Sequence, residues 1–187
     1  MTWIPLAILG ALVLLIIIMY NSLVRLRVQS ENAWADIDVQ LKRRHDLIPN
    51  LIETVKGYAS HEKQTLDAVV RARNQAMTAQ TPATKAKAED VLTQSLKSLF
   101  ALSEAYPQLR AVESFAQLQG ALSQIEEAVQ SARRYYNAVV RDLNTKIEVF
   151  PSNLIANAFG FRVREFFEIA EAAERQVPKV SFEASAR

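Results

Sequence analysis

The chain has 187 residues, half of them hydrophobic, which suffices for one domain plus an anchor but not for two large domains. Its 22 basic and 20 acidic side chains leave a formal charge of +2, no electrostatic footprint for nucleic acid, so no nucleic-acid partner is expected. Cysteine is absent, which removes disulfides and thiolate catalysis, and only four glycines and six prolines offer cheap turns, so few, long helices and an all-α class follow.

Residues 1–24 contain no charged side chain. As a helix, Ile4 to Val24 would extend about 32 Å, close to the ~30 Å hydrocarbon core of a bilayer, and Trp3 and Tyr20 stand where amphipathic rings favour the interface. The stretch predicts a transmembrane anchor over residues 1–24 and makes the membrane a partner. A cleavable signal peptide would need a basic start and a small-x-small site, whereas no Lys or Arg precedes the run and Tyr20-Asn21-Ser22-Leu23 follows it. Arg25, Arg27, Lys42, Arg43 and Arg44 all come after the anchor, so the positive-inside bias favours an outside N-terminus and a cytoplasmic domain. Glu31, Asp36 and Asp38 dilute that bias, and a periplasmic or extracellular domain stays open.

From about Ser30 to Ala79 the pattern is that of one long helix, with Ala33, Ile37 and Leu41 leading to Ile48, Ile52, Val55, Ala59, Leu66 and Val69. Pro49 interrupts it: proline has no N–H for the carbonyl of His45 and its ring crowds that carbonyl, so a kink or hinge is expected there. Thr81-Pro82 ends this helix, and a second runs from Ala83 or Thr84 through Val91, Leu92, Leu96 and Leu99 to about Glu104. A third, from Leu109 or Ser114 to Glu148, carries the longest seam: Leu118, Leu122, Ile125, Val129, Ala132, Tyr136, Val139, Leu143 and Ile147. After Phe150-Pro151-Ser152-Asn153, where Ser152 or Asn153 could cap a short turn, Arg162 to Glu174 reads as a short fourth helix with Phe166, Ile169, Ala170 and Ala173 inward. Each stripe must bury itself on another, which gives an elongated antiparallel bundle of three long helices and one short one over residues 25–176, then a tail over 177–187.

No catalytic, cofactor or metal constellation emerges. The two histidines, His45 and His61, would lie about 24 Å apart on one helix. His61-Glu62 lacks the second histidine of a zinc-binding His-Glu-x-x-His, and no Gly-x-Ser-x-Gly turn or glycine cluster exists. Glu126-Glu127 and Glu171-Glu174 fit solvated helix faces. The chain is therefore not expected to be an enzyme.

The polar residues that stand out do so by position. Glu62 falls in the gap of the stripe Val55, Ala59, Leu66, Val69, where a half-buried carboxylate would need a partner; Arg134 and Arg141 are candidates by type, and the side chain could instead bend out to water. On the third helix Glu127, Gln130, Arg134, Asn137, Arg141, Asn144 and Glu148 make a polar stripe. It is either a solvated face or, since Asn137 and Asn144 are poor helix formers, a partly buried network. Phe150, Leu154, Ile155, Phe159, Phe161, Phe166 and Phe167 crowd one segment and would plug the bundle end. Phe150, Leu154, Phe159 and Phe161 could alternatively dock a partner or touch the membrane.

Arg43-Arg44, Leu47-Ile48-Pro49-Asn50-Leu51 and Gly57-Tyr58-Ala59-x-His61-Glu62, with Trp34, Arg133 through Asn137, Asn144 and Phe150-Pro151-Ser152 before Phe159, resemble the LemA family over most of residues 20–182. The resemblance implies the same helical architecture and a bacterial membrane protein of the inner membrane, of a family sometimes linked to envelope or membrane-remodelling contexts, without a defined activity. Together these features suggest a non-catalytic, single-span scaffold or adaptor whose coiled-coil-like seam favours a homo-oligomer or contact with other membrane proteins. The alternatives are a sensor or relay hinged at Pro49 and, beyond that, an enzyme subunit using Glu62 and His61.

Overall fold

The structure, a computed structural model, describes residues 3–168. They form helices without strands: α1 (Trp3–Lys56), α2 (Lys63–Thr78), α3 (Pro82–Ala105), the single turn α4 (Pro107–Arg110), α5 (Glu113–Glu148) and α6 (Ser152–Ala158). The all-α expectation holds. The expected helix over Ser30 to Ala79 is in fact two, because α1 stops at Lys56 and the chain reverses through Gly57–Glu62 before α2. Ile48, Ile52, Val55, Ala59, Leu66 and Val69 nevertheless share one core. The stripe marks burial on both arms of a hairpin as well as on one straight helix, and Gly57, a poor helix former, is where the direction changes.

The break is therefore not at Pro49. α1 runs through that residue, whose ring is exposed. The His45 carbonyl, which proline cannot serve, accepts a hydrogen bond of 2.8 Å from Arg73 Nε on α2. A neighbouring helix thus supplies the donor that the local sequence lacks. Replacing Arg73 by Ala should leave that carbonyl without a protein partner, at a cost of about 1–3 kcal/mol. In the double variant Pro49→Ala/Arg73→Ala the restored N–H should recover part of the loss in a melting experiment.

Thr81 and Thr84 form a reciprocal capping box, with Pro82 in the first turn, and so fix the start of α3. Gly160 has φ 71°, and the bonds Phe161 N–H to Ala156 O (2.9 Å) and Gly160 N–H to Asn157 O (3.3 Å) close α6 in the left-handed manner that glycine permits. Beyond it residues 161–168, which include the first part of the expected Arg162 to Glu174 helix, are not helical, and a short helix lies instead at Ser152–Ala158. Ser152 does not cap it: its hydroxyl donates to the Val149 carbonyl at 3.0 Å. Residues 169–174 of the expected fourth helix and the expected tail lie outside the described residues.

α5 runs antiparallel to α1 along most of its length, from Leu23 packed with Leu143 and Ile147 at one end to Ile48, Leu51 and Val55 sharing a core with Phe115 and Leu122 at the other. α2 and α3 close the second end with Leu66, Val69, Leu92, Leu96 and Leu99. α6 and the extended segment after it cover the first, with Ala156 and Phe167 buried. The first part of α1 packs on none of the other described elements: residues 3–15 are all exposed, and this part is long and apolar enough to cross a membrane.

Candidate functional site

At mid-height three ionisable side chains are sealed inside the bundle. Leu41, Arg44, His45 and Ile48 lie at the three-and-four spacing of one helical face, so Arg44 and His45 stand on the buried stripe of α1, 4% and 7% exposed. Glu89 of α3, 5% exposed, meets both. Its Oε2 lies 3.3 Å from Arg44 Nη1, and its Oε1 accepts at 2.7 Å from His45 Nε2, which must carry the ring proton to face an ionised carboxylate. Arg44 Nη2 donates to Thr93 Oγ1 at 2.7 Å. Arg44 Nη1 is also 3.1 Å from Glu126 Oε2 on α5, at ion-pair distance but off the N–H direction, so that buried oxygen has no hydrogen bond. Beside it opens a recess of about 230 Å³ lined by Arg44, Thr93, Leu96, Phe100, Leu122 and Glu126. The cluster ties α1, α3 and α5 together by charge, and among the described residues no group of three or more His, Asp or Glu is placed to hold a metal.

A second polar arrangement lies nearer the apolar part of α1. Asn144 accepts from the Arg164 N–H at 2.8 Å and donates to the Arg164 carbonyl at 2.9 Å. Asn137 does the same to Phe167, at 2.9 and 3.3 Å. Each amide acts on the extended segment as a neighbouring strand would. The spacing explains why two can work at once: seven residues of helix advance about 10.5 Å, and three residues of extended chain about 10 Å. Between them Tyr136 donates to the Glu165 carbonyl at 2.9 Å, and Arg133 Nε reaches the Phe167 carbonyl at 2.9 Å. Burial raises the Tyr136 phenol above its ordinary range, with Arg164 opposing and Glu165 adding.

Glu62 meets neither Arg134 nor Arg141. It lies half-buried at the start of α2 and accepts from Tyr106 Oη at 2.9 Å, a bond that raises the tyrosine pKa. Arg134 and Arg141 are exposed. The polar stripe of α5 is thus divided: Asn137 is buried in the clamp and Asn144 partly so, while the arginines face water. Of the four candidate docking residues, Phe150, Leu154 and Phe159 are exposed by 78%, 59% and 58%. Phe161 is partly buried, with the Arg27 guanidinium 5.4 Å above its ring.

Residues 33–182, and hence most of these contacts, match the model of the LemA family. The chain belongs to the LemA family. It is 25% identical to Protein LemA of Metamycoplasma hominis over 155 residues, covering 81% of this chain and 69% of that protein. It is 21% identical over 193 residues to Magnetosome protein MamQ 1 and to Magnetosome protein MamQ 2 of Paramagnetospirillum magneticum, covering 89% of this chain and 71% of each relative.

In this LemA-family chain the charged cluster is what sequence reasoning missed. Its signal was available: Arg44 and His45 occupy stripe positions between Leu41 and Ile48, as Glu62 does on its own stripe, and Glu89 stands three residues before Leu92 and seven before Leu96.

Proposed function

We propose that this LemA-family chain is a single-span membrane protein whose helical bundle serves as a scaffold or adaptor at the membrane surface, without catalysis of its own. The observation that carries the reading is the double character of α1. One unbroken helix of 54 residues leaves its first residues bare and apolar, then turns a buried stripe, from Leu23 to Val55, to the bundle. A joint of that kind transmits position without slack, since a helix of this length, about 80 Å, has no loop between anchor and domain. By the positive charges that follow the anchor, the domain faces the cytoplasm and the N-terminus lies outside. The charged cluster supports a structural role, because Arg44, His45 and Glu89 are buried and spend their polar atoms on one another and on Thr93.

Association of copies is the second part of the proposal. The α5 seam that suggests it is buried on α1 within one chain, so copies would meet through the bare part of α1 or through exposed side chains such as Val39, Val91 and Tyr135. Detergent-extracted full chain is expected to have the mass of more than one copy by light scattering, and pull-down should recover other membrane proteins. Removing residues 1–20 should leave a soluble, still helical bundle by circular dichroism. A monomer without partners would sink the scaffold, and an unfolded truncation would sink the independent bundle.

A further inference from the structure

The α5–α6 turn ends in apolar side chains that the other described residues leave largely uncovered: Val149, Phe150, Leu154 and Phe159 are all about half exposed or more. Their neighbours Ile155 and Phe161 pack inward on the core of Leu23, Leu143 and Ile147, so the segment has more large apolar groups than its own packing uses. Scattered apolar side chains need no explanation, but several together on one tip do.

The height of the tip decides what lies against it. Lys146 Nζ donates to Ser22 Oγ at 2.5 Å, which sets these two residues level on antiparallel helices. Phe150, four residues further along, therefore comes level with about Ile18, roughly 6 Å nearer the anchor's far end. Phe159 stacks on Tyr20 at 4.8 Å between ring centroids, which places it at the same level. A hydrocarbon core of ~30 Å beginning near Ile4 ends around Leu23 or Val24, and Arg25 and Arg27 follow at headgroup level. The exposed side chains thus sit within about 5–10 Å of the hydrocarbon edge, the depth at which interfacial apolar side chains settle. Between Leu143 and Phe161 the sequence has one acidic residue, Glu148, to oppose such contact.

We propose that Phe150, Leu154 and Phe159 form a wedge that enters the bilayer interface beside the anchor, so that the chain meets lipid at two points and the bundle is held at a fixed tilt. This rests on α1 spanning the bilayer, as proposed above. Partition of the three side chains holds the bundle end to the membrane, while Arg25 and Arg27 lie where lipid phosphates are.

The chain has no cysteine, so single-cysteine variants of the full-length protein report without background. Phe150→Cys, and Ala158→Cys, which keeps all three apolar side chains, would carry an environment-sensitive fluorophore in phosphatidylcholine/phosphatidylglycerol vesicles containing brominated lipid. Leu12→Cys in the anchor and Gln117→Cys at the far end of the bundle are the references. The wedge requires that the labels at 150 and 158 lose most of their fluorescence, as the label at 12 does, while the label at 117 keeps its own. If 12 is quenched and 150 and 158 behave like 117, the wedge is wrong and the anchor stands. Energy transfer between copies at 150 without lipid quenching would overturn it in favour of an interface between copies. Absence of quenching at 12 would overturn the anchor, and the wedge with it.

Discussion

Replacing Glu89 by Ala is expected to cost about 3–5 kcal/mol, because it leaves the Arg44 guanidinium buried without its most enclosed carboxylate. Arg44 is 4% exposed, and its other charged neighbour, Glu126, is off the N–H direction and 31% exposed in its side chain. At about 2–4 °C per kcal/mol for a domain of this size, the melting temperature of the detergent-solubilised chain, followed at 222 nm, should fall by roughly 6–20 °C. Arg44→Met should cost less on the Glu89→Ala background than alone, since with both members gone no charge of the pair stays unpaired, and a coupling of about 0.5–3 kcal/mol is expected. A loss under about 0.5 kcal/mol for Glu89→Ala, the size of an ordinary surface change, would show the cluster to be hydrated and the burial argument wrong.

The helices were legible where one periodicity sufficed. α3 and α5 begin and end within a few residues of where their stripes, Thr81-Pro82 and Phe150-Pro151 put them. At two places a tertiary contact acts on what the local signal says. Pro49 is a helix breaker by local chemistry, but Arg73 lies 24 residues away in sequence and restores the missing hydrogen bond only once α2 has folded back. Residues 162–168 have a helical apolar spacing, yet Asn137 and Asn144 capture the main chain of Arg164 and Phe167 in an extended form. The asparagines were visible as misplaced in a helix, but nothing local to them told which backbone they would bind. For the charged cluster the reverse holds: the stripe positions of Arg44 and His45 were in plain sight, and their partner Glu89 was hidden in a segment that reads as generic helix former.

The asparagine clamp makes the second large effect. Asn137→Ala removes the acceptor for the buried Phe167 N–H, whereas the Phe167 carbonyl keeps its bond from Arg133 Nε. Asn144→Ala removes both partners of Arg164 in the main chain. The orphaned Phe167 N–H, fully buried, costs about 1–3 kcal/mol, and the two part-buried main-chain groups of Arg164, which water can reach, add about 1 kcal/mol together. The double variant should therefore favour opening of residues 161–168 by about 2–4 kcal/mol, or roughly 30- to 1000-fold, well beyond either single change. Amide hydrogen exchange reads this directly, as faster exchange at Arg164 and Phe167 with little change at Val140 on the core side of α5. Opening would also uncover Trp34, which stacks on Tyr136 at 5.3 Å and on Phe167 at 5.7 Å, so its fluorescence should shift to the red. Asn137→Asp discriminates the clamp from mere packing. It fills the same volume and still accepts from the Phe167 N–H, but turns a second acceptor toward the Phe167 carbonyl, where the amide now donates. Exchange in Asn137→Asp should resemble that in Asn137→Ala. Wild-type exchange in the aspartate variant would mean that shape, and not the paired donor and acceptor, holds the segment in place.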